Sequence, residues 1–213
     1  MTIPSEAPST QSMVRDQDQT KSTEVVIDTL KEKYFEEVRT IWNNFIGNGK
    51  GFCFGICPYR WCPTPKEDFE SIYRKSQDRC DTFGVAVRQE DQVVLGFIKL
   101  RLSTQLSTDD ENFVHTVKPG ELYIDNIAVS SEARGKGVGT KLLNWAEEMA
   151  KQRKANRITL AVLKGNPALN LYKRFGLEVV GDSIVGGFFA CCMVGLGPAR
   201  RFGALDMEKK VST

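Results

Sequence analysis

The stretch from Leu122 to Leu143 constrains this chain more than any other, because it joins an apolar strand to an amphipathic helix through a glycine-rich turn. Leu122, Ile124, Ile127 and Val129 give the strand its apolar character. Gly135, Gly137 and Gly139 alternate through the turn, with Arg134 just before them and Lys136 between the first two. Leu142, Leu143, Trp145, Ala146 and Met149 then line the inner side of a helix expected over Gly137 to Lys154. A helix start presents unpaired backbone N–H groups at the positive end of the helix dipole. Glycines there let an anion reach the backbone, so the turn reads as a diphosphate cradle.

Two familiar cradles are excluded by spacing. A P-loop needs four residues between its first glycine and a Gly-Lys-Ser/Thr triplet, which Gly139-Thr140-Lys141 does not supply. A dinucleotide fingerprint needs Gly-x-Gly-x-x-Gly, whereas these glycines simply alternate.

The charge balance makes the local basicity informative. Lys and Arg number 29 against 27 Asp and Glu, a formal net charge of +2. That is too even for bulk nucleic-acid or polyanion binding, so nucleic acid is not expected as a partner. The polar opening, residues 1–22, reads as a disordered tail without a secretory signal, and a cytoplasmic, reducing setting is expected. Residues 23–213 read as one domain. An apolar run at about 183–199 is broken by glycines and is too short for a membrane-spanning helix, so it is read as an insertion and no membrane contact is expected. Cys53, Cys57 and Cys62 cluster without paired Cys-x-x-Cys spacing, and His115 is the sole histidine; no metal is expected.

The remaining pattern is mixed. A strand is expected at Val25-Val26-Ile27, then a helix over Lys31 to Ile46 with Tyr34, Phe35, Val38, Ile41, Trp42 and Phe45 at helical spacing. Phe52 to Pro63, with Tyr59 and Trp61, reads as an aromatic loop. Thr64 and Pro65 open a second helix to about Arg79. Thr82 to Arg88 and Val93 to Thr104 read as a hairpin. Ser107 to Gly120 reads as an acidic loop, whose Ser107–Glu111 charges read as solvated in preference to attracting a cationic substrate. Later strands are expected at Glu121 to Val129, Arg157 to Leu163, Leu177 to Val180 and Ala204 to Lys210, with a short helix over Ala168 to Arg174. This order implies an α/β or α+β sandwich around a mixed sheet.

Two blocks carry a family resemblance. Arg134, Gly137 and Gly139 fit Arg/Gln-x-x-Gly-x-Gly/Ala. Downstream, Asn166 to Leu177 resembles Asn-x-x-Ala-x-x-Leu-Tyr-x-x-x-Gly-Phe, with Leu177 in place of Phe. Together they resemble the GNAT N-acetyltransferases, most strongly over about residues 121–180. The resemblance implies a mostly antiparallel sheet flanked by helices, with a splay between the two strands that hold acetyl-CoA. It implies transfer of an acetyl group from acetyl-CoA to a primary amine, on a small molecule or a protein, by a monomer or homodimer. Ile127, Ala128 and Val129 would hold the pantetheine arm. Arg134, Gly135, Lys136, Gly137, Val138, Gly139 and Thr140 would hold the pyrophosphate, and Asn166 the far side of the cofactor.

Tyr172 matches the family's general acid, which would protonate the leaving thiolate, whose thiol has a pKa of about 8.5. The attacking amine needs a base, since a lysine-type ammonium has a pKa of about 10.4. Glu121 and Asp125 lie four apart on one strand and share a face with Tyr123. Either is a candidate base, and His115 is a third. The alternative function is a non-catalytic acyl-CoA-binding module, which would need no acid.

Overall fold

The computed structural model describes residues 24–46, 70–71, 73–105, 107, 111–112, 115–183 and 204–212. The expected tail, the cysteine and aromatic loop, the Thr64-Pro65 helix start and the apolar insertion lie outside these residues. The elements run β1 (Val25–Thr29), α1 (Phe35–Ile46), α2 (Gln77–Asp81), β2 (Phe83–Arg88), β3 (Val94–Leu102), β4 (Glu121–Val129), α3 (Val138–Gln152), β5 (Arg157–Leu163), α4 (Leu169–Phe175), β6 (Glu178–Ser183) and β7 (Ala204–Lys210). They form a seven-stranded sheet in the order β1-β2-β3-β4-β5-β7-β6. Every neighbouring pair is antiparallel except β4 and β5.

Both faces of the sheet are covered, which is why β2 is buried along almost its whole length. Side chains alternate between faces along a strand. Phe83, Val85 and Val87 join Tyr34, Phe35 and Val38 on one side, while Ala86 turns to the other. On that other side Leu142, Leu143 and Ala146 of α3 pack on Ile98, Leu122 and Ile158. No described helix is long and apolar enough to cross a membrane.

The expected second helix does not continue unbroken to Arg79. Ser76 adopts an extended backbone, and α2 starts after it. The break lets Tyr73 and Cys80 both enter the core, joined by a bond from the Cys80 thiol to the Tyr73 carbonyl.

Two glycines let elements approach. A Cβ on Gly84 would lie 2.7 Å from the ring of Trp145, so this glycine makes room for α3. A Cβ on Gly96 would lie 2.6 Å from the Ala128 carbonyl oxygen, part of the β4 backbone that supports the site. Backbone cannot swing aside as a side-chain end can. Gly96→Ala is therefore expected to destabilise the fold by about 1–3 kcal/mol, read as a lower urea midpoint at unchanged slope.

Candidate active site

The glycine-rich turn follows the end of β4. A single turn at Ser131–Ala133 leads to Arg134, then Gly135 and Gly137 adopt φ of 75° and 78°. These left-handed values suit glycine, and nothing lies within 4 Å of where a Cβ would sit on either. Gly137 caps α3 with no side-chain hydrogen bond, and no acidic residue occupies the first turn. The first amide with an acceptor is that of Lys141, bonded to the Gly137 carbonyl at 3.1 Å. Among the described residues no acceptor meets the N–H groups of Val138, Gly139 and Thr140. Arg134, Lys136 and Thr140 are exposed around this end, while the Val138 side chain is buried.

The three glycines do different jobs. Gly135 and Gly137 permit the backbone path, but a Cβ on Gly139 would lie 2.9 Å from Leu171 of α4. Gly139 thus brings α3 against α4 rather than clearing space for a ligand.

The splay is present. Parallel pairing of β4 with β5 covers Glu121↔Arg157, Leu122↔Ile158 and Tyr123↔Thr159, and then stops. Beyond it the strands part around a cleft of about 140 Å³. Ile124 to Ile127 form one wall, Leu160 to Leu163 the other, with Asn166 and Tyr172 completing the lining. Among the described residues the edge of β4 facing this cleft carries backbone groups with no strand partner.

The residues expected to hold a pantetheine arm are divided by this geometry. Ile127 lines the cleft. The Ala128 side chain is buried on the α1 side of the sheet. Val129 borders a second, larger cavity of about 670 Å³ beside the glycine-rich turn, between α1 and the β2–β3 hairpin, with Arg134, Lys136 and Val138. The larger cavity is therefore not the one where the strands part; the two flank the C-terminal half of β4. Asn166 accepts the Ala168 N–H at 2.8 Å, so its side-chain oxygen opens α4 while its amide nitrogen remains available at the cleft.

Tyr172 sits where α4 meets the cleft. Its ring is buried, burial pushes its phenol up to about 12, and among the described residues nothing bonds its hydroxyl.

On the face carrying Tyr123, charged groups are closely paired. Glu121 is 3% exposed and accepts from three donors: His115 Nε2 at 2.9 Å, the Lys118 N–H at 2.7 Å, and the Thr159 hydroxyl. Burial alone would raise its carboxyl, but the His115 and Thr159 bonds and the Lys118 amide outweigh it and hold the group down at about 2. His115 also stacks on Tyr123, with ring centres 4.1 Å apart.

Asp125 is held by two cations, Lys99 Nζ at 2.7 Å and Arg101 Nε at 3.2 Å. A bulge puts it there. The register passes from Lys99↔Asn126 to Leu100↔Ile124, leaving Asp125 as the extra residue. Lys99 also bonds Glu111 at 2.7 Å, and Arg79 pairs with the same carboxylate. Burial would lower the Lys99 ammonium, but Asp125, Tyr73 and Glu111 reverse this and raise it. Glu111 is accordingly not a solvated loop charge: its side chain is 12% exposed. Asp109 and Asp110 lie outside the described residues.

The sequence reading missed Lys99, Arg101 and Thr159. The available signal was two cations at period 2 inside the otherwise apolar run of β3.

Comparison with known proteins agrees with this arrangement. Residues 53–177, more than half of the chain, match the model of the acetyltransferase (GNAT) family. The chain belongs to that family. Its GNAT relatives include a thialysine N-epsilon-acetyltransferase from Mus musculus, 34% identical over 73 residues, covering 33% of this chain and 43% of that protein. A spermine/spermidine N(1)-acetyltransferase from Bacillus subtilis (strain 168) is 29% identical over 91 residues, covering 42% and 55%. The chain thus spans about half the length of these curated relatives. Among solved structures, an N-acetyltransferase from Staphylococcus aureus Mu50 shares the GNAT fold with a TM-score of 0.63 at 18% identity, over 89% of this chain and 99% of that one. A phosphinothricin acetyltransferase from Sinorhizobium meliloti, solved in complex with AcCoA, gives a TM-score of 0.62 at 16% identity, over 88% of each.

Proposed function

We propose that the protein is an acetyl-CoA-dependent N-acetyltransferase acting on a primary amine. The observation that carries this reading is the juxtaposition of an uncapped helix start with parted strands. The amides of Val138, Gly139 and Thr140, flanked by Arg134 and Lys136, suit a diphosphate. From there the free edge of β4, with Ile127 at the cleft, suits an extended amide-bearing arm. Asn166 offers its side-chain nitrogen on the opposite wall. The donor groups and the cavities fit acetyl-CoA, which would supply an activated acetyl thioester at the cleft.

Tyr172 is the proton donor in this reading. Among the described residues nothing bonds its hydroxyl, and its high pKa keeps it protonated until a thiolate forms beside it. His115 is the proton acceptor, in preference to either carboxylate. Glu121 has committed its lone pairs to three donors, and Asp125 to two cations, so neither readily takes a proton. With Nε2–H donated to Glu121, His115 keeps Nδ1 as its basic nitrogen. Glu121 orients that ring, and the Tyr123 stack holds its plane. The neutral amine attacks the thioester carbonyl, so the N–C bond forms and the C–S bond breaks. The amine proton passes to His115 and the Tyr172 proton to the leaving sulfur. Proton exchange with solvent then returns the imidazolium and phenolate to their starting states.

Titration calorimetry with coenzyme A and acetyl-CoA tests the foundation. Binding is expected for the native protein. Gly137→Val places a β-branched side chain at φ 78° and is expected to weaken binding at least ten-fold. Native protein that binds neither ligand would remove the reading. Binding without transfer to any amine would leave an acyl-CoA-binding module.

A further inference from the structure

We propose that Asp206 anchors a second cationic centre on the acceptor, so that the substrate is a diamine or a lysine-like amine carrying a charge beyond its reacting nitrogen. This rests on the acetyl-transfer reading and adds the chemistry of the acceptor to it.

The sheet register places Asp206. On β7 it lies opposite Ala161 of β5, and Gly181 of β6 flanks it on the other side. Thr159, two residues before Ala161, pairs with Tyr123 of β4. Paired residues share a face, as do alternate residues along a strand. Glu121, Tyr123, Thr159, Ala161 and Asp206 therefore stand on one face, the face over which His115 is stacked. Ala161 itself lines the cleft. Asp206 is one strand beyond it, level with the point where the strands part.

Among the described residues Asp206 has no partner. Glu121 has three donors, Asp125 two cations, Glu111 two more, and Asp182 is paired with Lys164 at 2.8 Å. Among the described residues Asp206 accepts no hydrogen bond and makes no salt bridge, and the charge-bearing groups that act on it are His115 and Asp182. It is nonetheless half-buried, and burial raises its carboxyl, with Asp182 adding to the effect and His115 opposing it. Gly181 lies beside it without a side chain: a Cβ there would be 4.0 Å from Asp206 Oδ2, in van der Waals contact. A partly desolvated carboxylate without a hydrogen bond gains most from a charge-assisted bond to an ammonium.

The cation at Asp206 is not the reacting nitrogen. That nitrogen must be neutral to attack, and a carboxylate beside it would keep it protonated. Asp206 also stands a strand away from the β4 edge of the cleft. A nitrogen bound there remains charged throughout, so it belongs to a second position on the acceptor.

The test compares 1,4-diaminobutane with butylamine in acetyl-CoA turnover, and in calorimetry on the protein saturated with coenzyme A. The native protein is expected to favour the diamine about ten-fold or more in kcat/KM and in Kd. In Asp206→Asn the preference is expected to fall to about one, through KM rather than kcat. Asp206→Glu is expected to restore part of it, which a merely structural role would not. Turnover of both amines without preference, or a preference that survives in Asp206→Asn, overturns the proposal. A binding preference lost in Asp206→Asn with no turnover of either amine would uphold the Asp206 site and overturn the transferase reading instead.

Discussion

Replacing Tyr172 by Phe is expected to lower kcat by about 10²- to 10³-fold while leaving the affinity for coenzyme A nearly intact. The ring is almost fully buried against α3 and the sheet, so phenylalanine preserves packing and removes only the hydroxyl. That hydroxyl has no partner to lose among the described residues, so the substitution removes little besides the proton. The drop is therefore expected in the chemical step, read by free-thiol release. It should be smaller when a donor with a more acidic thiol is used, because a better leaving group needs less help. His115→Gln in the same assay is expected to cost about 10²-fold and to show no such dependence on the leaving thiol. Equal turnover in Tyr172→Phe and native protein would remove the acid role.

The largest expected effect on stability comes from Asp125→Ala. Asp125 lies between Lys99 and Arg101, and the Arg101 side chain is only 4% exposed. Arg101 already has one buried nitrogen, Nη1, without a partner. Removing the carboxylate leaves Nε unpaired as well, with the bond to the His115 carbonyl and the stack over the Tyr123 ring as what still holds the guanidinium among the described residues. Breaking a buried pair by deleting one partner typically costs about 3–5 kcal/mol, more than the pair itself contributes. The double variant Asp125→Ala with Arg101→Met is therefore expected to be more stable than Asp125→Ala alone, since it removes the stranded guanidinium. Urea unfolding decides this; a double variant less stable than the single one would contradict it.

The phosphate turn was legible because its signals are local. A strand, left-handed glycines and an amphipathic helix all lie within one continuous stretch, and the bounds of β4, β5 and β7 match the expected ones. The shared face of Glu121 and Tyr123 was equally legible from period 2. The state of those side chains was not. Whether a carboxylate is free depends on which donors reach it, and those of Asp125 come from β3, aimed by a bulge that no local pattern announces. Glu111 reads as loop charge in sequence because Arg79 and Lys99, its partners, are distant along the chain. Gly139 looked like its two neighbours because its reason is a contact with Leu171 on a separate helix.

The insertion of β7 between β5 and β6 bears on how this molecule is made. β6 emerges from synthesis before β7, yet β7 is its only neighbour among the described strands. Until the last strand arrives, the far half of β5 is also bare on the β7 side. The wall bearing Asp206 is thus closed only after the glycine-rich turn, β5 and β6 have been synthesised.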